Sequence, residues 1–126
     1  MNIPSDLKYA KSHEWVRQEG DSYVIGVTDF AQNELGDIVF VNLPQEGDSV
    51  SVGDAFSDVE SVKAVSDVLS PVSGVVEAVN EELLDDPAKV NSDPYGAWFI
   101  KVKDVSETEE LLDAAAYEAH CAAEKE

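Results

Sequence analysis

A reactive side chain stands out by its isolation. Between Arg17 and Lys89 the sole cation is Lys63, set among sixteen carboxylates. A surface stripped of every other lysine leaves one amine available for covalent modification, although a lone lysine is ordinarily just a solvated side chain. The other chemistry-bearing residues form no constellation. His13 and His120 lie far apart in sequence, Cys121 adjoins only the second, and no Cys/His spacing resembles a zinc site, so metal binding by the histidine pair is not expected. With 27 acidic residues in the chain, two carboxylates near one another carry no information about general acid and base catalysis. Gly47-Asp48 and Gly53-Asp54 read as turns and not as a phosphate cradle, because neither opens a helix and no lysine follows in loop spacing.

Lys63 is embedded in Val59-Glu60-Ser61-Val62-Lys63-Ala64-Val65-Ser66-Asp67-Val68, which reads almost alike in both directions about the Lys63-Ala64 bond. An antiparallel hairpin with Lys63 and Ala64 at its tip sets Val62 against Val65, Ser61 against Ser66, Glu60 against Asp67 and Val59 against Val68. Lys-Ala lacks the positive-φ residues that tight two-residue turns favour, and Glu60 opposite Asp67 pairs like charges. Ser70-Pro71-Val72-Ser73-Gly74 then closes one strand and restarts an apolar run, as successive short barrel strands do.

The flanking segments supply the frame. Glu14–Glu19 alternates as a strand, Gly20-Asp21 turns it, and Ser22–Val27 completes a hairpin. Thr28 caps a short helix through Leu35 that Gly36 ends. Asp37 to Leu43 is an apolar strand stopped by Pro44. Gly74–Val79 is a strand, Asn80–Gly96 is mainly loop with a helical turn at Pro87, and Trp98–Lys103 returns to strand with its lysines on the alternate face. Ser106 and Glu109 have capping-box spacing ahead of a helical stripe of Leu111, Leu112, Ala115 and Ala119, with Asp113 as an alternative cap for a second short helix. The expected fold is mainly β: a small barrel-sandwich hybrid of short antiparallel strands with short helices, including a C-terminal helical segment.

Composition sets further bounds. The 126 residues suffice for one domain that buries about two-thirds of its unfolded surface. Eight basic against 27 acidic residues give a formal charge of −19, which repels nucleic acid and anionic membranes and favours basic protein partners. One cysteine forms no internal disulfide. The first six residues lack a signal core or a transit pattern, and no stretch is long enough to span a bilayer, so a bacterial cytoplasmic protein is expected.

Glu60-Ser61-Val62-Lys63-Ala64, followed by Pro71 and Gly74, resembles the lipoyl-lysine hairpin of the glycine cleavage system H-protein family. The resemblance covers nearly the whole chain. It includes Tyr9, His13-Glu14-Trp15, Gly26-Val27-Thr28, Ala31-Gln32, Leu35 through Val41, Val90-Asn91, Pro94-Tyr95, Leu111 through Ala114 and Tyr117-Glu118. Pro94-Tyr95-Gly96-Ala97-Trp98 departs from it, being a residue shorter than the family's usual glycine-rich turn.

The resemblance implies a non-catalytic carrier with lipoate amide-linked to Lys63, flanked by Glu60, Ser61, Val62, Ala64 and Asp67 as recognition residues. It implies an arm that takes an aminomethyl group from a pyridoxal-phosphate glycine decarboxylase to a tetrahydrofolate-dependent aminomethyltransferase. A dihydrolipoyl dehydrogenase then reoxidises the arm, and a lipoylating enzyme loads it in the first place. Glu14 and Asp67 are candidates for a groove that shields the loaded arm. A single carrier domain, 1–126, acting as a monomer is expected. Two alternatives stay open: a lipoyl relay that donates its cofactor to other enzymes, and an unmodified acidic interaction module.

Overall fold

The computed structural model describes residues 3–125. The chain opens with β1 (Lys8–Tyr9), β2 (Glu14–Glu19) and β3 (Ser22–Val27). Gly20, at φ +62°, makes the two-residue turn that sets Glu19 opposite Ser22. Helix α1 (Asp29–Leu35) begins where Thr28 Oγ1 accepts the Ala31 amide at 3.2 Å, and it ends at Gly36, whose φ of +82° disfavours any side chain. Strands β4 (Ile38–Asn42), β5 (Ser49–Val50), β6 (Ala55–Ser61), β7 (Val65–Leu69) and β8 (Val72–Val79) follow, separated by turns at Gly47 and Gly53, both at positive φ.

Segment 80–96 is more helical than its polar composition suggests. It carries two single-turn helices, α2 (Glu82–Asp85) and α3 (Lys89–Ser92), each anchored by one buried residue, Leu83 and Val90. Only the turn after Pro87 was readable from sequence. Strand β9 (Ile100–Thr108) and helix α4 (Ala114–Lys125) complete the chain.

All the pairings are antiparallel. One sheet runs β1-β2-β3-β9-β8-β5 and the other β4-β6-β7. Val16, Ile25, Val76 and Val102 from the first sheet meet Ile38, Val41, Val59 and Val68 from the second in one apolar core. Two facing sheets closed by short strands make the expected barrel-sandwich arrangement. A second cluster lies outside this core, where Tyr9, Trp15, Phe30, Tyr117 and Cys121 are buried together and the rings of Tyr9 and Tyr117 stack at 4.6 Å.

That second cluster corrects the reading of the C-terminal segment. Ser106 does not cap a helix, because β9 continues to Thr108 and pairs Glu107 with Ser73 and Thr108 with Val72. The next backbone groups are also claimed: the Glu109 amide donates to Pro71 O, and Leu112 exchanges bonds of 2.7 and 2.8 Å with Tyr9. Helix can start only where these end. Asp113 is therefore the cap, its Oδ1 accepting the Ala116 amide at 2.8 Å. The buried positions are Tyr117 and Cys121, whereas Ala115 and Ala119 face solvent.

Candidate cofactor-attachment site

The tip around Lys63 is built by Ser61. Its amide donates to Ala64 O at 2.8 Å, closing a turn whose central residues are Val62 and Lys63. Its hydroxyl accepts the amides of Ala64 at 3.1 Å and Lys63 at 3.3 Å. A serine that satisfies two turn amides replaces the positive-φ residues that a tight hairpin otherwise needs. The register is accordingly shifted two residues from the palindromic one: Glu60 faces Val65, Val59 faces Ser66, and Asp67 faces Asp58. A two-residue shift keeps Val59 and Val68 on one face, and both are buried. The like-charge pair is Asp58 with Asp67, and Asp58 is compensated by the amide of Asn42 at 2.9 Å.

Lys63 is exposed, and its stem crosses Gly36. A Cβ built on Gly36 would lie 3.1 Å from Lys63 Cε and 3.8 Å from Nζ, so the absent side chain is what lets the lysine lie there. The support beneath is fixed by Asn91 of α3. Asn91 Nδ2 donates to Gly36 O and to Gln32 Oε1, both at 2.9 Å, while Asn91 Oδ1 accepts the Ile38 amide at 2.8 Å. The Val62 amide donates to Asp37 O at 3.1 Å and ties the tip to the same seam. Sequence reasoning assigned no role to Gly36 beyond ending a helix and none to Asn91. A glycine at a helix end followed by an apolar strand was the available signal.

Beside the tip lies a groove of about 170 Å³ whose lining includes Ser12, His13, Phe30, Glu34, Leu35 and Ser66. His13 stacks on Phe30 with ring centroids 4.5 Å apart. Burial holds the His13 imidazole below the usual histidine range, outweighing the opposing pull of Glu124. Two larger depressions, of about 490 and 440 Å³, flank Asn42, Leu43 and Pro44 and include no tip residue in their lining.

The flanking residues fall in different places. Glu60, Val62 and Ala64 are exposed beside Lys63. Glu14 and Asp67 occupy different environments. Asp67 is exposed on the strand position after Ser66, so it alternates away from the face that lines the groove. Glu14 is 3% exposed; its carboxylate accepts from Ser12 Oγ at 2.5 Å and from the Leu69 amide of β7. Burial, with a smaller contribution from Glu109, raises the Glu14 carboxyl to about 7.

The glycine cleavage H-protein family model matches residues 7–124, a span that includes the tip, its Gly36 seat and the groove. The chain belongs to this family. It is 56% identical over 119 residues to a glycine cleavage system H protein of Lachnoclostridium phytofermentans, with 94% of each chain covered. It is 49% identical over 121 residues to that of Treponema denticola, covering 96% of this chain and 99% of the relative. Among solved structures, the crystal structure of a glycine cleavage system H protein from Mycobacterium marinum superposes with a TM-score of 0.88 at 42% identity, covering 93% of this chain and 97% of that one.

The turn after Pro94 is held by its own neighbours. Asp93 closes it, its carbonyl accepting the amides of Gly96 and Ala97 at 3.1 and 2.9 Å and its Oδ1 accepting Gly96 at 3.2 Å. A Cβ on Gly96 would collide with that carboxylate at 2.2 Å. Pro94 O meanwhile accepts the Trp15 indole N–H at 3.0 Å, anchoring the turn to β2. Among the described residues no helix is long and apolar enough to cross a membrane.

Proposed function

We propose that this chain is a lipoyl carrier of glycine cleavage, with lipoate in amide linkage to Lys63 Nζ and residues 1–126 acting as a single carrier domain. The observation that carries this reading is the placement of the central region's lone cation at a turn tip, over a glycine that leaves room for its stem. The site fits the group: an exposed amine accepts an acyl chain, and the lysine stem lies over Gly36, the neighbour in sequence of the groove residue Leu35. When bound, lipoate supplies dithiolane sulfurs that accept and release a one-carbon group and are reoxidised by thiol–disulfide exchange.

The protein's own residues supply placement. Ser61 and Asn91 hold the turn and its seat rigid, while the lysine stem supplies reach between active sites. Exposed Glu60, Val62, Ala64 and Asp67 form the surface that a lipoylating enzyme reads. In the groove, Phe30 and Leu35 exclude water, and Glu34 offers a carboxylate to an ammonium on the cargo. Neither Glu14 nor Asp67 is among the residues that line the groove: Glu14 holds the base of β7 from below, and Asp67 belongs to the exposed recognition surface. The partners of this reading are glycine decarboxylase, aminomethyltransferase and dihydrolipoyl dehydrogenase.

Intact-mass analysis and peptide mapping of the protein isolated from its own cells test the reading. One lipoyl increment on the Lys63 peptide is the expected result, with Lys63→Arg abolishing carrier turnover while leaving the fold intact. A lipoyl increment on Lys89 or Lys101, or lipoylation that persists in Lys63→Arg, refutes the assignment.

A further inference from the structure

The carrier reading leaves one side-chain cluster unused. His13 precedes β2, and His120 and Glu124 lie one turn apart on α4, yet the fold brings all three together. His13 Nε2 is 2.5 Å from Glu124 Oε2, His120 Nε2 is 3.7 Å from the same oxygen, and one ligand atom of each residue lies within 4.8 Å of the others. The separation that argued against the histidine pair in the sequence disappears in the structure, where the two rings sit 5.6 Å apart. We propose that His13, His120 and Glu124 form a binding site for a divalent transition-metal ion of the zinc class.

The donor set selects the ion. Two imidazole nitrogens and one carboxylate oxygen suit zinc, cobalt, nickel or copper, whereas magnesium and calcium favour oxygen ligands throughout. Three protein ligands leave a fourth position for water or an exogenous ligand. With metal–ligand bonds of about 2.0–2.2 Å, tetrahedral ligand atoms stand roughly 3.3 Å apart. The His13–Glu124 contact of 2.5 Å must open by less than an ångström, and the His120–Glu124 spacing of 3.7 Å must close by less. The ion takes the place of the Nε2 proton in the short contact: a neutral His13 keeps its ring proton by moving it to Nδ1, which then donates to Tyr117 Oη, whereas an imidazolium releases it to solvent. His120 moves its ring proton from Nε2 to Nδ1, giving up the 3.0 Å bond to Lys11 O so that Nε2 takes the ion.

The surroundings supply what the ligands alone do not. His13 Nδ1 lies 2.7 Å from Tyr117 Oη, which in turn lies 2.6 Å from buried Thr28 Oγ1. A second ring nitrogen held this way fixes the imidazole plane and leaves Nε2 directed at Glu124, as outer partners of metal-bound histidines do. His120 and Glu124 are partly exposed, giving the ion an entry path, and the net charge of −19 concentrates cations around the molecule. Bound there, the ion clips α4 to the turn ahead of β2, beside the groove that His13 lines.

The test uses the full chain with Lys63→Arg, so that no lipoyl dithiol competes for metal. Zinc is titrated by calorimetry and by proton NMR of the imidazoles, and cobalt(II) binding is followed by absorption. The chain has two histidines, so both report separately. One ion per chain, concurrent saturable shifts of both imidazoles, a thermal midpoint that rises with free zinc, and cobalt d–d bands without a thiolate charge-transfer band are expected. His120→Ala and Glu124→Gln should each weaken zinc binding about tenfold or more. His13 is left in place because its φ of +76° and its stacking on Phe30 make its variants prone to misfold. Absence of saturable binding overturns the proposal. Response of only one histidine, a thiolate band from Cys121, or equal affinity in the His120→Ala/Glu124→Gln double variant, which means an ion held by surface carboxylates, also overturns it.

Discussion

Glu14 is a carboxyl that folding takes out of water and gives hydrogen bonds but no cation. Burial raises it from the ordinary 4.5 to about 7, so the folded state prefers its protonated form. For an acid raised on folding, the associated stability is present in full below the unfolded value and is lost as pH climbs through the folded one. At about 1.4 kcal/mol per unit, the loss between pH 4.5 and 7 is on the order of 3 kcal/mol. Glu14→Gln should flatten that part of the profile, as measured by urea unfolding with a chelator present; an unchanged slope would show that Glu14 ionises as freely in the folded chain as in the unfolded one. Gly36 supports a second prediction at this scale. Gly36→Ala combines a φ of +82° with a Cβ 3.1 Å from Lys63 Cε. We expect a loss of about 1 kcal/mol or more in stability and slower lipoylation of Lys63. Lipoylation at the wild-type rate would mean that the lysine stem does not need its seat.

At the scale of elements, the hairpin shows what sequence can and cannot carry. The alternation of Val59 and Val68 fixes which face is buried, and a two-residue slip leaves it unchanged, so the palindrome was compatible with either register. What chose between them was the Ser61 hydroxyl, a side-chain-to-backbone interaction with no periodicity to betray it. The first hairpin and α1 were legible because Gly20, Thr28 and Gly36 are local signals acting on their own neighbours. The start of α4 was not, because the groups that would have begun a helix at Ser106 are engaged by β8, Pro71 and Tyr9, all distant in sequence. The site divides in the same way: Lys63 announces itself by isolation, whereas Asn91, Glu34 and Phe30 join it only through the fold. Ser61→Ala therefore makes a sharp test of the element. Losing both turn bonds should cost about 1 kcal/mol and speed amide hydrogen exchange at Lys63 and Ala64, leaving Val59 and Val68 protected. Exchange at the tip no faster than in the wild type would assign the register to strand pairing alone.

For the whole molecule, a formal charge of −19 acts in two opposite directions. Within the chain, the carboxylates repel one another, and the described lysine and arginine ion pairs that oppose this are few and lie at or near the surface: Arg17 and Lys101 with Glu19, and Lys89 with Glu82. Between this chain and a basic partner the same charge attracts. Raising ionic strength from about 10 to 150 mM shortens the Debye length from roughly 30 to 8 Å, which screens both effects. The thermal midpoint of the isolated protein should rise with sodium chloride over this range, while the association proposed with glycine decarboxylase or aminomethyltransferase should weaken, chiefly through a slower on-rate. The opposite signs matter, because a generic salting effect on apolar burial would strengthen both. Beside Lys63 the surface also offers Val62 and Val65, 69% and 66% exposed. If association holds constant across salt while the midpoint still rises, those apolar side chains carry recognition and the charge serves the chain alone; Val62→Ser with Val65→Ser would then weaken the complex where added salt does not.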